Sequence, residues 1–125
     1  MKETVATDRA PDAIGPYSQA VKAGGLVFVS GQLPIDPATG TMPQDIASQT
    51  RQSLQNAQAI LQAAGSSMAQ VVKTTVFLSD MGNFAAMNEV YGTYFPAGGF
   101  PARSAFQVAK LPKDALVEIE LIAAL

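Results

Sequence analysis

Leu116-Val117-Glu118-Ile119-Glu120-Leu121-Ile122-Ala123-Ala124 decides how this chain folds. Side chains alternate across a strand, so Val117, Ile119, Leu121 and Ala123 share one face and are expected to meet a core. Leu116, Glu118, Glu120 and Ile122 share the other. That second face mixes apolar groups with carboxylates, which is unlike an ordinary solvated surface. It is expected to pack against other subunits, with pockets at the seams. Upstream stand Phe100-Pro101-Ala102-Arg103-Ser104-Ala105 and Leu111-Pro112-Lys113-Asp114. The spacing reads as a closing hairpin of two strands, roughly 104–109 and 116–124, with Arg103 at a stiff Pro-Ala corner. A guanidinium fixed there offers a planar fork to a carboxylate. The fork would serve a substrate, or one of the glutamates in a structural ion pair.

Turn residues divide the rest of the chain. Residues 17–23 alternate weakly, Gly24-Gly25 signals a tight hairpin, and residues 26–30 form a β-rich run ending at Gly31. A loop with Pro34, Pro37, Gly40 and Pro43 follows, anchored by Leu33 and Ile35. From Gln44 or Asp45 to Ala64 the pattern is helical. Ile46, Thr50, Leu54, Ala57, Leu61 and Ala64 recur at steps of three and four, Asp45 suits the N-terminus, and Gly65 is a natural stop. Residues 71–78 form a strand rich in β-branched side chains. Asp80 or Asn83 caps a second helix with the stripe Phe84, Met87, Tyr91 and Tyr94, which Pro96 and Gly98-Gly99 stop. The order is β-β-β-α-β-α-β-β, an α+β class with a mixed sheet and both helices on one face.

With 125 residues, 1–125 is expected to form a single domain. Only 14% of residues are charged, few for a small domain that must solvate its own surface, so burial against other copies is expected. The net charge of −2 and the lack of any basic run argue against a nucleic-acid partner. With no cysteine or histidine, a transition-metal site, a thiol nucleophile and a Ser-His-Asp triad are all disfavoured or impossible. Residues 1–12 lack the apolar core of a secretory signal and no run reaches membrane length, so a cytoplasmic protein without membrane contact is expected. Lys73 and Lys110 lack any feature that supports Schiff-base chemistry.

Five segments together resemble one family: Ala13-Ile14-Gly15-Pro16-Tyr17-Ser18-Gln19, Val29-Ser30-Gly31-Gln32, residues 72–78, Met87-Asn88, and residues 100–104 through Glu120. The chain closely resembles the Rid family of reactive-intermediate imine and enamine deaminases. The resemblance implies a chorismate-mutase-like fold in a homotrimeric barrel, helices outside, with clefts between subunits. It implies hydrolysis of 2-aminoacrylate and 2-iminobutyrate to 2-keto acids and ammonia, with no cofactor and no metal. By the same resemblance Arg103, Glu118 and the cleft tyrosine Tyr17 are the catalytic residues, Arg103 holding the substrate carboxylate and Glu118 holding or activating water, while Ser30, Gly31 and Asn88 line the cleft as substrate-binding positions. Ala105 replaces a cysteine common in the best-known subgroup. Its backbone groups remain available to substrate and water, but a thiol role is gone. Glu120 is expected to be structural. The alternative reading is a trimeric module that binds a keto acid or amino acid without turnover.

Overall fold

The computed structural model describes residues 1–125. Three strands come first: β1 (Glu3–Val5), β2 (Ala20–Ala23) and β3 (Leu26–Gln32). Helix α1 (Ile46–Ala63) leads to β4 (Val71–Leu78), α2 (Phe84–Gly92), β5 (Ala102–Gln107) and β6 (Val117–Ala124). The six strands form one mixed sheet in the order β1-β2-β3-β6-β4-β5. All neighbours are antiparallel except β4 and β5, which run parallel across the α2 crossover. The expected α+β class and element order hold. No helix is long and apolar enough to cross a membrane.

The terminal hairpin does not form. β4 lies between β5 and β6, so Arg103 and Glu118 are on strands two places apart. The Leu111–Asp114 segment carries the chain from the edge strand past β4 and not through a tight turn. Smaller differences concern boundaries. β5 starts at Ala102, two residues early, and β1 lies in the segment read only as polar. α2 ends at Gly92, before Tyr94 and Pro96. Its approach is a 3-10 turn, Met81–Asn83, in which the Asp80 carboxylate accepts from Gly82 N–H at 2.7 Å.

Burial follows the period-two pattern. Val117, Ile119, Leu121 and Ala123 of β6, Val27 and Val29 of β3, and Val76 and Leu78 of β4 are buried in one cluster with Leu54, Ile60, Leu61 and Met87 of the helices. Both helices therefore cover the same face. Truncating a fully buried leucine such as Leu61 to alanine would cost about 2–5 kcal/mol, transfer and cavity terms together. The opposite face stays open and keeps large apolar groups in water: Phe28 at 42%, Val72 at 48% and Phe106 at 46% exposure. Phe106 meets Phe77 edge-on at 5.4 Å between ring centroids.

Polar side chains fix the loops. The Asp45 carboxylate caps α1 by accepting from Ser48 N–H at 2.9 Å. Gly65 adopts φ +85°, the left-handed helix stop for which glycine is suited. The loop after β3 is pinned through its backbone, Asn56 Nδ2 donating to the Leu33 and Ile35 carbonyls at 3.1 and 2.9 Å, while the Leu33 and Ile35 side chains, expected to anchor it, stay half-buried outside the core cluster.

Candidate active site

The predicted site residues fall into two groups on opposite faces of the sheet. Arg103 pairs with Thr74 in the β4–β5 ladder. Thr74 is fully buried and its hydroxyl bonds the Tyr91 hydroxyl at 2.7 Å. Arg103 therefore projects on the helix side, at the outer edge strand. Its Nη1 donates to Asn88 Oδ1 at 2.6 Å. Its guanidinium lies 4.9 Å from the Tyr91 ring centroid and 5.3 Å from that of Phe84. At an exposed site such cation–π contacts are each worth about 0.5–1 kcal/mol, enough to restrict the fork without spending all its donors. Burial pushes the Tyr91 hydroxyl pKa up, opposed by its Thr74 bond and by the Arg103 charge, so the ring stays neutral under the cation. Asn88, Tyr91, Gly92, Phe100, Pro101 and Arg103 enclose a recess of about 420 Å³. Ala105 follows on the same edge strand and packs partly against the core. Alternate backbone groups of such a strand have no ladder partner and remain free for a ligand.

Glu118 projects from the open face, between buried Val117 and Ile119. Burial first, and then the nearby Glu120 charge, hold its carboxyl above the usual carboxylate range. The local cause of its placement is a β-bulge. β3 and β6 keep register from Leu26 to Val29, and Gln32 then pairs with Ile119. Ser30 and Gly31 thus share the single position opposite Glu120. A Cβ on Gly31 would stand 2.8 Å from Glu118 Oε2 and 3.0 Å from its Cδ. Glycine here lets Glu118 approach closely and serves no unusual φ.

Tyr17 and Ser30 belong to this second group. Ser30 Oγ donates to the Ser18 carbonyl at 2.6 Å, and Ser30 N–H to the Gln19 carbonyl at 2.9 Å. The Ser30 hydroxyl proton is therefore spent on holding the Tyr17 loop, which leaves its oxygen to accept. Buried Gln19 ties down the N-terminal strap, accepting from Thr7 N–H at 2.7 Å and donating to the Thr7 and Pro11 carbonyls. The recess of about 670 Å³ formed here is lined by Pro11, Asp12, Ile14, Tyr17, Gln32, Lys113 and Glu118, among others. A more open recess of about 800 Å³ lies on the far side of Tyr17, and neither Arg103 nor Glu118 reaches it. Glu120 is exposed beside the Glu118 recess, opposite Thr75.

Sequence reasoning missed Gln32, Lys113 and the strap clamp of Gln19. Lys113 and Asp114 both take φ 57°, a left-handed pair without glycine, and this turn presents Lys113 to the Glu118 recess. A glycine inside a strand, followed by glutamine, was the available signal for the bulge.

Arg103 and Glu118 are not brought together within one chain. Thr74 pairs with Arg103 on one side and with Leu121 on the other. Two strand spacings of about 4.8 Å and three residues of about 3.3 Å put the Cα atoms of Arg103 and Glu118 roughly 14 Å apart. Their side chains also leave from opposite faces. No group of His, Cys, Asp and Glu side chains is arranged to hold a metal ion.

Residues 7–125 match the family model described as Endoribonuclease L-PSP. The chain is 57% identical to a RutC family protein of Pyrococcus horikoshii, over 98% of both chains. It is 50% identical to a 2-iminobutanoate/2-iminopropanoate deaminase of Salmonella typhimurium, again over 98% of each. Its fold is similar to the crystal structure of Escherichia coli TdcF with bound serine, with TM-score 0.93 and 48% identity over 98% of both chains.

Proposed function

The chain belongs to the Endoribonuclease L-PSP family, the Rid family of its sequence motifs, and from that premise we propose that it hydrolyses 2-imino acids and their enamine tautomers to 2-keto acids and ammonia. The reaction takes place in clefts where the Arg103 recess of one subunit meets the Glu118 recess of the next in a chorismate-mutase-like homotrimer. One observation carries this reading: a carboxylate-binding fork and a half-buried glutamate leave opposite faces of one sheet, so only a second copy can join them. Full-length relatives named as deaminases of 2-iminobutanoate and 2-iminopropanoate supply the substrate class. The exposed Phe28, Val72 and Phe106 on the open face supply the apolar surface such an assembly would cover.

The chemistry needs no cofactor. Arg103 holds the substrate carboxylate in a bidentate contact, already aimed by Asn88 and the Tyr91 and Phe84 rings. Glu118, as carboxylate, takes a proton from water while the water oxygen bonds the carbon of the protonated imine, whose C=N π pair moves onto nitrogen. The resulting carbinolamine accepts that proton on nitrogen from Glu118. The C–N bond then breaks and ammonia leaves as the Glu118 carboxylate takes the hydroxyl proton and the carbonyl forms. An enamine first takes a proton on carbon to become the imine. A carboxyl that burial holds above its ordinary pKa returns a proton more readily than an exposed one, which suits it to both directions of transfer, a contribution of about 10²–10⁴-fold. Tyr17 and Ser30 close the water side. Ala105 offers backbone groups beside the substrate, and Gly31 gives Glu118 its room.

The test is complementation. Arg103→Ala and Glu118→Gln chains, whose residual rates with 2-iminobutyrate are first measured singly and subtracted, are co-expressed. Random assembly pairs an intact Arg103 with an intact Glu118 in about one cleft in four. Activity near that fraction of wild type supports the shared cleft, and none refutes it. A second reading has its own observation, the serine bound by the similar TdcF structure: the cleft holds an amino acid or keto acid without turnover. Wild type that binds 2-ketobutyrate by calorimetry yet leaves 2-iminobutyrate hydrolysis at the uncatalysed rate decides for it.

A further inference from the structure

We propose that Gln32 is a positioning residue for Glu118: its side-chain amide locks the Ser30–Gly31 bulge, and the bulge fixes where the Glu118 carboxylate sits. This rests on the reading of Glu118 as the proton-transfer group. At a bulge two residues share one ladder position, so the carbonyls there lose regular strand partners. A carbonyl left without a partner in a half-buried place is costly. Gln32 answers that loss. Its Nε2 donates to the Ser30 carbonyl at 3.0 Å and, at greater length, to the Gly31 carbonyl at 3.5 Å. The residue is only 5% exposed, so water competes little for these bonds.

Gln32 also ties the other side of the site. Its backbone is registered with Ile119, the residue next to Glu118. One residue thus fastens β6 beside the glutamate and the bulge against which the glutamate rests. The clearance at Gly31 is small, since even a methyl group there would stand 2.8 Å from Glu118 Oε2. A bulge free to flatten or slip would open that contact and admit water to the carboxylate. Other groups facing Glu118 are Glu120 on β6, Lys113 from the preceding turn, and Asp12 and Tyr17 from the N-terminal strap. On β4 the residue opposite is uncharged Phe77, with Lys73 farther along, opposite Ile122. None of these charges is bonded to Gln32, so a change in Glu118 on altering Gln32 would travel through the bulge.

The experiment compares wild type with Gln32→Met, which keeps volume and removes both donors. Val27→Ala serves as control, a buried position on the same strand away from the bulge. Glu118 is followed by carbon-13 NMR of its side-chain carboxyl, assigned by its loss in Glu118→Gln. In Gln32→Met the Glu118 pKa falls toward the ordinary carboxylate range, and the acid limb of the kcat profile for 2-iminobutyrate moves down with it. kcat drops about tenfold, while KM stays within about twofold because the Arg103 recess is on the other face. Val27→Ala loses stability but keeps the wild-type titration. An unchanged Glu118 titration in Gln32→Met, or an equal shift in Val27→Ala, overturns the proposal. Should Gln32→Met fail to fold, Gln32→Leu is measured in its place. If both fail while Val27→Ala folds, Gln32 serves folding alone and the assignment is wrong. Wild type with no turnover defeats the deaminase reading separately, since the NMR comparison needs no substrate.

Discussion

Gly31→Ala is the sharpest single perturbation of the site. The added Cβ would lie 2.8 Å from Glu118 Oε2, 3.0 Å from Cδ and 3.2 Å from Cγ. Ordinary contact begins at 3.4 Å, so Oε2 must retreat by about 0.6 Å, the difference of the two figures, and Cδ by about 0.4 Å. The obstacle is the end of a flexible side chain, not backbone, and Gly31 is not among the residues with positive φ. Glu118 can turn into the open recess, so the fold should tolerate the methyl with a loss of about 1 kcal/mol or less. Proton transfer does not tolerate it. A misplacement approaching 1 Å can cost about 10²-fold in rate, and the full general acid–base contribution is about 10²–10⁴-fold. The expected result is a Tm within a few degrees of wild type, unchanged calorimetric affinity for 2-ketobutyrate, and kcat reduced by about 10–10²-fold. The assay follows ammonia released from 2-iminobutyrate. A folded Gly31→Ala protein with wild-type kcat would refute the placement of Glu118 as the proton-transfer group.

Arg103→Ala should keep the fold and assembly and raise KM for 2-iminobutyrate, with kcat/KM falling by the equivalent of about 2–5 kcal/mol, the cost of leaving a carboxylate unpaired in a partly dry cleft; size-exclusion with light scattering and steady-state kinetics check both halves. Glu118→Gln should lower turnover about 10–10³-fold, and Glu120→Gln much less, because Glu120 is exposed and makes no bond to the bulge. The same Glu118→Gln variant predicts a pH effect on stability. Burial raises the folded-state pKa, so the wild-type carboxyl favours folding in acid, below its unfolded pKa, and that contribution is lost as pH rises through the folded value. The Tm of Glu118→Gln relative to wild type should therefore rise from acid to neutral pH, and a flat difference would count against the buried site. Asp45 works with the opposite sign. The backbone and side-chain bonds from Ser48 lower its pKa, so its support of α1 is present above the unfolded pKa and fades as pH falls through the folded one. Asp45→Ala should melt earlier than wild type at neutral pH and alike in strong acid.

Much of the fold was legible because local rules and tertiary packing agree. α1 has its step of three and four, a capping aspartate and a terminal glycine, and its buried residues include the expected stripe of Thr50, Leu54, Ala57 and Leu61. β6 shows its buried and open faces residue by residue. What failed was adjacency. Leu111-Pro112-Lys113-Asp114 looks like a hairpin connection, but the α2 crossover had already set β5 parallel to β4, at the edge, as right-handed βαβ packing favours. The chain then had to pass β4 to find the remaining free edge, and spacing along the sequence carries no record of that passage. The Ser30–Gly31 bulge left only a glycine inside a strand as its trace, and not its purpose. Its meaning depends on a residue 87 positions away, Glu118, and on a glutamine amide that in sequence is one polar residue among many.

The division of the site follows from parity and is not an accident of side-chain rotamers. Arg103 shares a face with Thr74 and so with Leu121, its partner across the next ladder. Glu118 is three residues from Leu121, an odd step, and odd steps change faces. A one-residue slip of β6 would place both on one face, but it would turn Val117, Ile119 and Leu121 out of the core, which the buried cluster forbids. No local rearrangement can therefore deliver the glutamate to a substrate held by the arginine of the same chain. If the two residues act on one molecule, the unit of function is the assembly. A variant that keeps both side chains and the fold but charges the open face, such as Phe106→Asp, should then lose deaminase activity in step with any fall in its mass by light scattering to that of a single chain. A monomeric Phe106→Asp protein with full activity would show that Arg103 and Glu118 do not share a substrate.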